Sequence, residues 1–486
     1  MKLKWLTRSK NFARSCAWAS LVVLIGYGLI ARAHSPKRTS TEEPTVPAWK
    51  SEGNVRVKAS LSQTKVVQGS DGLVYLQVDL EAPEKASRNA EERKPTDFVV
   101  VLDRSGSMGD AKKMAYAHRA IESLIRQMNG NDRFAMVTFD DSVETPIELS
   151  YVSSPQKENL IARVNSITPR GSTNLGGGLL RGIQLVEASR QAGRADRLIL
   201  LSDGLANVGV TDPQELNRIA SRAVSGEFVI STIGVGLDFN ENLMASLADY
   251  GAGNYHFLED LASLEKVLSQ EFYGASQVYA RNLDLKLSLS EGVEVIDASG
   301  YPISREMGSV FVRPGLLYQG QKKTFFVTLK LPTQYTYYKP LGDATMRYDV
   351  EGRTYTASLF SPELKVACVS TERREEAVHS IVPGVYNQAW TQNNFGRFLK
   401  DNAEKVNKGD ENGARDTIRA YKAKLSSAYQ AAPSPTMKKQ LDDLDKMESQ
   451  VSGAFSSPDK ETELKRLGKT YQYEGIQKQR TQSNQP

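Results

Sequence analysis

The chain has 486 residues, room for two or three domains each with its own core. Its formal charge of +5 is misleading: residues 1–33 carry six Lys/Arg and no acid, and the remainder balances 56 basic against 57 acidic side chains. That near-neutral body removes the electrostatic basis for nucleic-acid binding.

Lys2, Lys4, Arg8, Lys10 and Arg14 lead into an apolar run, Cys16–Ala31, and Ala31-Arg32-Ala33 offers a small-x-small cleavage site before His34. The pattern predicts a secretory signal over 1–33, since the run of about 16 residues is short for a spanning helix. The alternative is an uncleaved N-terminal anchor. Either way the domains are expected outside the cytoplasm: periplasmic, secreted, or membrane-anchored through the N-terminus. Cleavage leaves Cys368 alone, so no internal disulfide is expected. Val366-Ala367-Cys368-Val369 reads as a strand end with a buried, inert thiol.

Residues 34–54 are polar and proline-bearing and read as a linker. Residues 55–95 hold two alternating strands, V-R-V-K-A-S-L and L-V-Y-L-Q-V-D-L, with a turn at Gln68–Gly72 and a charged stretch, 81–96, after them. Over 96–275 strands and helices alternate. Strands are expected at 98–103, 134–139, 143–149, 198–202, 228–235 and 255–258, and helices at about 110–128, 155–167, 175–190, 213–224, 240–249 and 260–273. That order predicts a mostly parallel sheet covered by helices on both faces.

Three segments of this region present oxygen ligands: V-V-V-L-D-R-S-G-S-M-G (99–109), P-R-G-S-T-N-L-G-G-G-L (169–179) and R-L-I-L-L-S-D-G-L-A-N-V-G (197–209). Asp103 and Asp203 each end an apolar strand, the place where open α/β sheets bind ligands. Ser105 and Ser107 follow Asp103 in alternation, and Thr173 comes from a third loop. A lone D-x-S-x-S would read as helix caps and turns. Adding Thr173 and Asp203 gives two carboxylates and three hydroxyls, a donor set that suits Mg²⁺, Mn²⁺ or Ca²⁺ rather than zinc or copper. If the aspartates act partly through water, the ion keeps much of its charge and attracts a carboxylate from another molecule.

D-R-S-G-S-M, T-N-L-G-G-G and L-L-S-D-G-L-A-N-V-G resemble the metal-ion-dependent adhesion site of von Willebrand factor type A domains, with Asp103, Ser105, Ser107, Thr173 and Asp203 at the motif positions. T-I-G-V-G (232–236) and G-A-G-N-Y-H-F-L (251–258) resemble that fold's last two strands. The resemblance implies a Rossmann-like doubly wound domain that binds a protein ligand's Asp or Glu carboxylate through a bound ion.

Residues 276–369 read as all-β, with about seven short strands expected over 281–369. Two strands before residue 81 also need partners, so both flanks are expected to form one β-sandwich with the domain of 96–275 inserted in it. That layout resembles integrin β subunits. Residues 370–474 read as helical, with helices at about 371–380, 384–407, 411–430 and 434–451, and 475–486 as a disordered tail.

No G-x-S-x-G, H-E-x-x-H, C-x-x-C or Walker-type motif occurs, and His34, His118, His256 and His379 are scattered. The expectation is a non-enzymatic, exported adhesion or protein-binding protein with a Mg²⁺-class ion and no catalytic residues. The alternative is an envelope structural or assembly factor that binds mainly through its C-terminal helices. A subsidiary expectation is that helix 260–273 shifts on ligand binding and reports to the sandwich.

Overall fold

The computed structural model describes residues 49–84, 93–360, 364–480 and 482–483. The N-terminal basic and apolar segment, its cleavage point and residues 85–92 of the charged stretch lie outside them.

The chain enters as β1 (Lys50–Glu52), β2 (Val55–Leu61), β3 (Lys65–Val67) and β4 (Leu73–Glu81). The expected linker over 34–54 is corrected at its end: Lys50–Glu52 pairs antiparallel with β2. The cause is local, because Gly53 and Asn54 both take positive φ (53° and 63°), the geometry of a two-residue hairpin turn. β4 is apolar at most positions because both its faces are covered. Val74, Leu76, Val78 and Leu80 enter the sandwich core, and Tyr75 turns the other way onto Phe326, Val385 and Ala389.

The inserted domain contains β5 (Thr96–Asp103), α1 (Lys113–Gln127), β6 (Arg133–Phe139), β7 (Val143–Tyr151), α2 (Ser154–Asn165), α3 (Leu175–Ser189), β8 (Ala195–Ser202), α4 (Pro213–Ala220), α5 (Arg222–Ser225), β9 (Val229–Val235), α6 (Glu241–Tyr250), β10 (Ala252–Leu258) and α7 (Leu264–Ala275). Its sheet runs β10-β9-β8-β5-β6-β7, parallel throughout except for the antiparallel edge strand β7. Central β5 and β8 are buried at every position. Alternate residues of β5 serve opposite layers: Phe98, Val100 and Leu102 pack toward α1, α2 and α7, and Val99 and Val101 toward α3 and α6. This is why the strand reads as an unbroken apolar run.

After α7 come β11 (Val278–Leu289), β12 (Glu294–Asp297), β13 (Ile303–Glu306), β14 (Ser309–Val312), β15 (Leu317–Tyr318), β16 (Lys322–Lys330), β17 (Tyr337–Pro340), β18 (Gly342–Val350), β19 (Arg353–Ser358) and β20 (Lys365–Val369). β16 pairs with β4 from Lys322↔Glu81 to Lys330↔Leu73, so the two flanks share one sheet and the doubly wound domain is inserted in a sandwich. That sheet (β1-β2-β4-β16-β12) faces a second, β13-β14-β11-β18-β19, and their inner side chains form one core. Cys368 is buried in β20, and burial pushes its thiol pKa up.

The helical region comprises α8 (Arg374–His379), α9 (Pro383–Gln388), α10 (Phe395–Asn407), α11 (Glu411–Ala431), α12 (Pro435–Phe455) and α13 (Lys460–Gln479), with a short β21 (Gln482–Ser483) after it. The single helix expected over 384–407 is interrupted by a π-turn at Ala389–Asn394, where Trp390 meets Tyr75 and Tyr421. The tail expected at 475–486 is corrected too: α13 runs through Gln479, with Gly475, Ile476 and Gln479 buried. It packs tightly on α10, since a Cβ on Gly475 would stand 2.7 Å from the carbonyl oxygen of Gly396. On its other side Ile476 and Tyr473 join the core of the inserted domain, and Arg480 forms a two-point ion pair with Asp249 at 2.6 and 2.7 Å.

Candidate metal centre and comparison with known proteins

The five predicted residues come together at the carboxyl ends of β5 and β8. Asp103 closes β5 and Asp203 follows β8, both fully buried. The Asp103 carboxylate accepts from the Ser105 amide (2.8 Å) and from the Ser202 hydroxyl (2.5 Å). Asp203 accepts from the Ser107 hydroxyl at 2.8 Å and from the Lys113 ammonium at 2.6 Å. Ser105 Oγ and Ser107 Oγ lie 3.2 Å apart. Thr173 reaches the same spot from its own loop: a Cβ built on Gly204 would meet Thr173 Oγ1 at 3.4 Å, Ser107 Oγ at 3.8 Å and Asp103 Oδ2 at 3.9 Å.

The loops are held from behind. Gly106 donates its amide to the Gly171 carbonyl (3.1 Å) and Arg170 donates its amide to the Arg104 carbonyl (2.7 Å). Thr173 donates its amide to Asn207 Oδ1 (2.8 Å), tying its loop to the one after β8. Arg104 and Arg170 both pair with Asp140 at the end of β6. Burial works to raise the Asp140 pKa, but hydrogen bonds from Arg170 and Ser142 and the Arg104 charge hold it at about 2. At Asp103 the balance is reversed. Burial pushes its pKa to about 6, Asp203 adds to the rise, and the hydrogen bonds from Ser105 and Ser202 only temper it. A buried, charge-starved carboxylate is a cation's natural partner.

The donors fit a hard dication. Oxygens on one edge of an octahedron around a Mg²⁺-sized ion are about 3 Å apart, close to the separation of the two serine hydroxyls. Among the described residues no group of three or more His, Cys, Asp and Glu converges, so the centre is one of hydroxyls and two carboxylates.

Lys113 is the residue that sequence reasoning missed. The helix expected from 110 begins only at Lys113, because Gly106–Lys112 form a 3-10 turn in which Ala111 and Lys112 take positive φ (48° and 60°). A signal was present: a lysine in a helix's first turn opposes the macrodipole unless an anion answers it. Ser202 and Asn207, which fix Asp103 and Thr173, went unread because serine and asparagine at strand ends and turns are commonplace.

A six-stranded α/β sheet with an oxygen-lined cradle at its carboxyl ends defines a Rossmann-like ligand-binding domain. Residues 97–270 match the von Willebrand factor type A domain, so the chain contains that domain. It is 31% identical over 197 residues to the uncharacterized protein YfbK of Escherichia coli (40% of this chain, 33% of that one). It is 26% identical over 235 residues to human inter-alpha-trypsin inhibitor heavy chain H3 (44% of this chain, 26% of that one). The chain thus spans a third or less of the length of these curated relatives. Among solved structures, a von Willebrand factor type A protein from Catenulispora acidiphila superposes with TM-score 0.59 at 14% identity, over 84% of this chain and 92% of its own. The ArnB paralog VWA2 from Sulfolobus acidocaldarius superposes with TM-score 0.50 at 18% identity, over 87% and 99%. Coverage this broad extends the shared fold beyond the type A domain.

Proposed function

We propose that this chain is a metal-dependent protein-binding or adhesion protein whose type A domain uses a Mg²⁺-class ion (Mg²⁺, Mn²⁺ or Ca²⁺) to capture an Asp or Glu carboxylate of a partner. Type A domains are modules of adhesion and protein interaction, and the reading rests on one observation: oxygens of Asp103, Ser107 and Thr173 all lie within 4 Å of one point beside Gly204. Ser105, Ser107 and Thr173 supply neutral oxygens and Asp103 the nearest carboxylate. Asp203 pairs with the Lys113 ammonium and accepts from Ser107, so it orients Ser107 and shapes the field. Bound there, the ion supplies a Lewis-acidic position for one external oxygen. In this reading the cradle's carboxylates and hydroxyls act as ligands, and the chain acts by binding.

The basic and apolar leader of residues 1–33 supports an extracytoplasmic location, with that segment cleaved or kept as an anchor. Among the described residues no helix is long and apolar enough to cross a membrane. Pull-down from the source envelope tests the whole reading. Wild type should capture a partner in Mg²⁺ and release it in EDTA, and Asp103→Ala should capture none while remaining folded. Capture unchanged by EDTA would refute the metal-dependent mechanism.

A further inference from the structure

Lys113 is the first residue of α1, and its side chain is only 9% exposed. Its ammonium stands 2.6 Å from Asp203 Oδ2 and 3.4 Å from the Ser107 carbonyl oxygen. On the other side the backbone closes over it: a Cβ on Gly236 would lie 3.2 Å from Lys113 Cε and 3.5 Å from Nζ. The cation is therefore held beside the cradle, in a space that a side chain at position 236 would fill.

The chain also bends to put it there. Ala111 and Lys112 occupy the left-handed region one after the other, where side chains with a Cβ are strained. The following residue is the one whose side chain enters the site. Strain immediately before a buried charge marks a position that the surrounding structure enforces.

The electrostatic consequence is specific. Arg104 and Arg170 are answered by Asp140 and Glu144, and the exposed Asp141 accepts from the Ser172 amide at the rim, which leaves Asp103, Asp203 and Lys113 as the buried charges of the cradle. With Lys113 present those groups carry a net single negative charge, so a bound dication keeps one positive charge uncompensated. Without Lys113 the two carboxylates would neutralise it. Asp203 would then also be free to turn an oxygen onto the metal.

We infer that Lys113 is a built-in counter-cation that weakens the cradle's hold on its metal and keeps the bound ion electrophilic for a partner carboxylate. It is a positioning residue, acting through Asp203. The inference rests on the metal-binding reading above and sharpens it: metal affinity and carboxylate affinity are traded against each other through one ammonium group.

The test is a titration of the full chain with Mn²⁺, with free ion followed by electron paramagnetic resonance. Lys113→Met should bind Mn²⁺ at least about tenfold more tightly than wild type, a fold-change equal to about 1.4 kcal/mol. Lys113→Arg, which keeps the charge, should stay near wild type. Acetate added to the Mn²⁺-loaded protein should perturb the bound-ion spectrum in wild type and much less in Lys113→Met. If the Met variant proves unfolded by circular dichroism, Lys113→Gln replaces it with the same expectation. A folded neutral variant that binds Mn²⁺ no more tightly than wild type overturns the role of Lys113 and leaves the metal reading standing. Absence of binding in wild type and variants alike overturns the metal reading and this inference with it. Binding gained only in the neutral variant supports Lys113 as the charge that opposes the ion.

Discussion

Two buried clusters of the type A domain treat charge in opposite ways. In one, at the amino ends of the strands facing the sandwich, a buried base answers a buried acid. Arg197, fully buried in β8, pairs with Glu271 of α7 at 3.0 Å and approaches Tyr318 of the sandwich. Glu271 also accepts from Ser231 (2.7 Å) and Asn254 (2.8 Å) and bonds His256 (2.8 Å). Burial disfavours the charged form of Glu271, but the Arg197 charge and the bonds from His256 and Asn254 prevail and hold its pKa at about 2. In the other, at the carboxyl ends, the Lys113 ammonium pairs with Asp203, and burial pushes Asp103 up to about 6. The first cluster spends its charges on holding the fold together, and the second leaves a deficit of positive charge. Asp196, beside Asp97 at the amino end of β8, is raised as well, to about 7 and mainly by burial, so it is the converging oxygens and not the shift that mark the cradle.

The basal end should be the more sensitive to truncation. Glu271→Ala strands the Arg197 guanidinium in the interior, and the expected loss is about 3–5 kcal/mol of stability, read by calorimetry in EDTA. A loss under about 1 kcal/mol would erase the contrast. The same pair should give the chain an acid limb. A carboxyl with a depressed folded-state pKa contributes stability that is complete above its unfolded value of 4.5 and lost as pH falls toward about 2. The full effect is on the order of 3 kcal/mol. Glu271→Gln should flatten that part of the stability-versus-pH curve, and an unaltered curve would place the acid sensitivity elsewhere. Ser231→Ala removes one hydroxyl from the same network, with an expected cost of about 1–3 kcal/mol.

The contrast also bears on movement. α7 spans Leu264–Ala275 and leads almost directly into β11 at Val278, so it is positioned to report to the sandwich. Yet Glu271 ties it at once to Arg197 on β8, Ser231 on β9 and His256 on β10. A slide of this helix on ligand binding, expected from the sequence, must first break that buried network.

Much of the site was legible because its chemistry is local. Asp103-Arg104-Ser105-Gly106-Ser107 carries three of the five oxygen-bearing side chains in one loop, and apolar runs ending at Asp103 and Asp203 place both acids at strand ends. The insertion was legible for a different reason: the two alternating strands before residue 81 had no partner of their own. The anion that answers Lys113 was not legible, since only the fold brings the lysine to Asp203, ninety residues away. α13 was missed because Lys460–Gln479 has no clear apolar stripe. It buries glycines and polar residues, Gly468, Lys469, Gln472 and Gly475, along with Tyr471 and Ile476. Lys469 is held by the Phe239 carbonyl and by Glu241 of α6 at 2.5 Å, contacts that a helical-periodicity search cannot see.

The smallest expected effect on the metal-free fold belongs to Thr173→Ala, under about 1 kcal/mol because no other side chain depends on its hydroxyl for charge balance. That makes it the cleanest probe of the central claim, that the oxygens around Gly204 hold a divalent ion. Thermal unfolding with and without Mg²⁺ should show wild type stabilised by about 2.7 kcal/mol at a hundredfold excess over the dissociation constant. Thr173→Ala should show little or no such shift. Equal stabilisation of the two proteins by Mg²⁺, or none in wild type, would contradict the account.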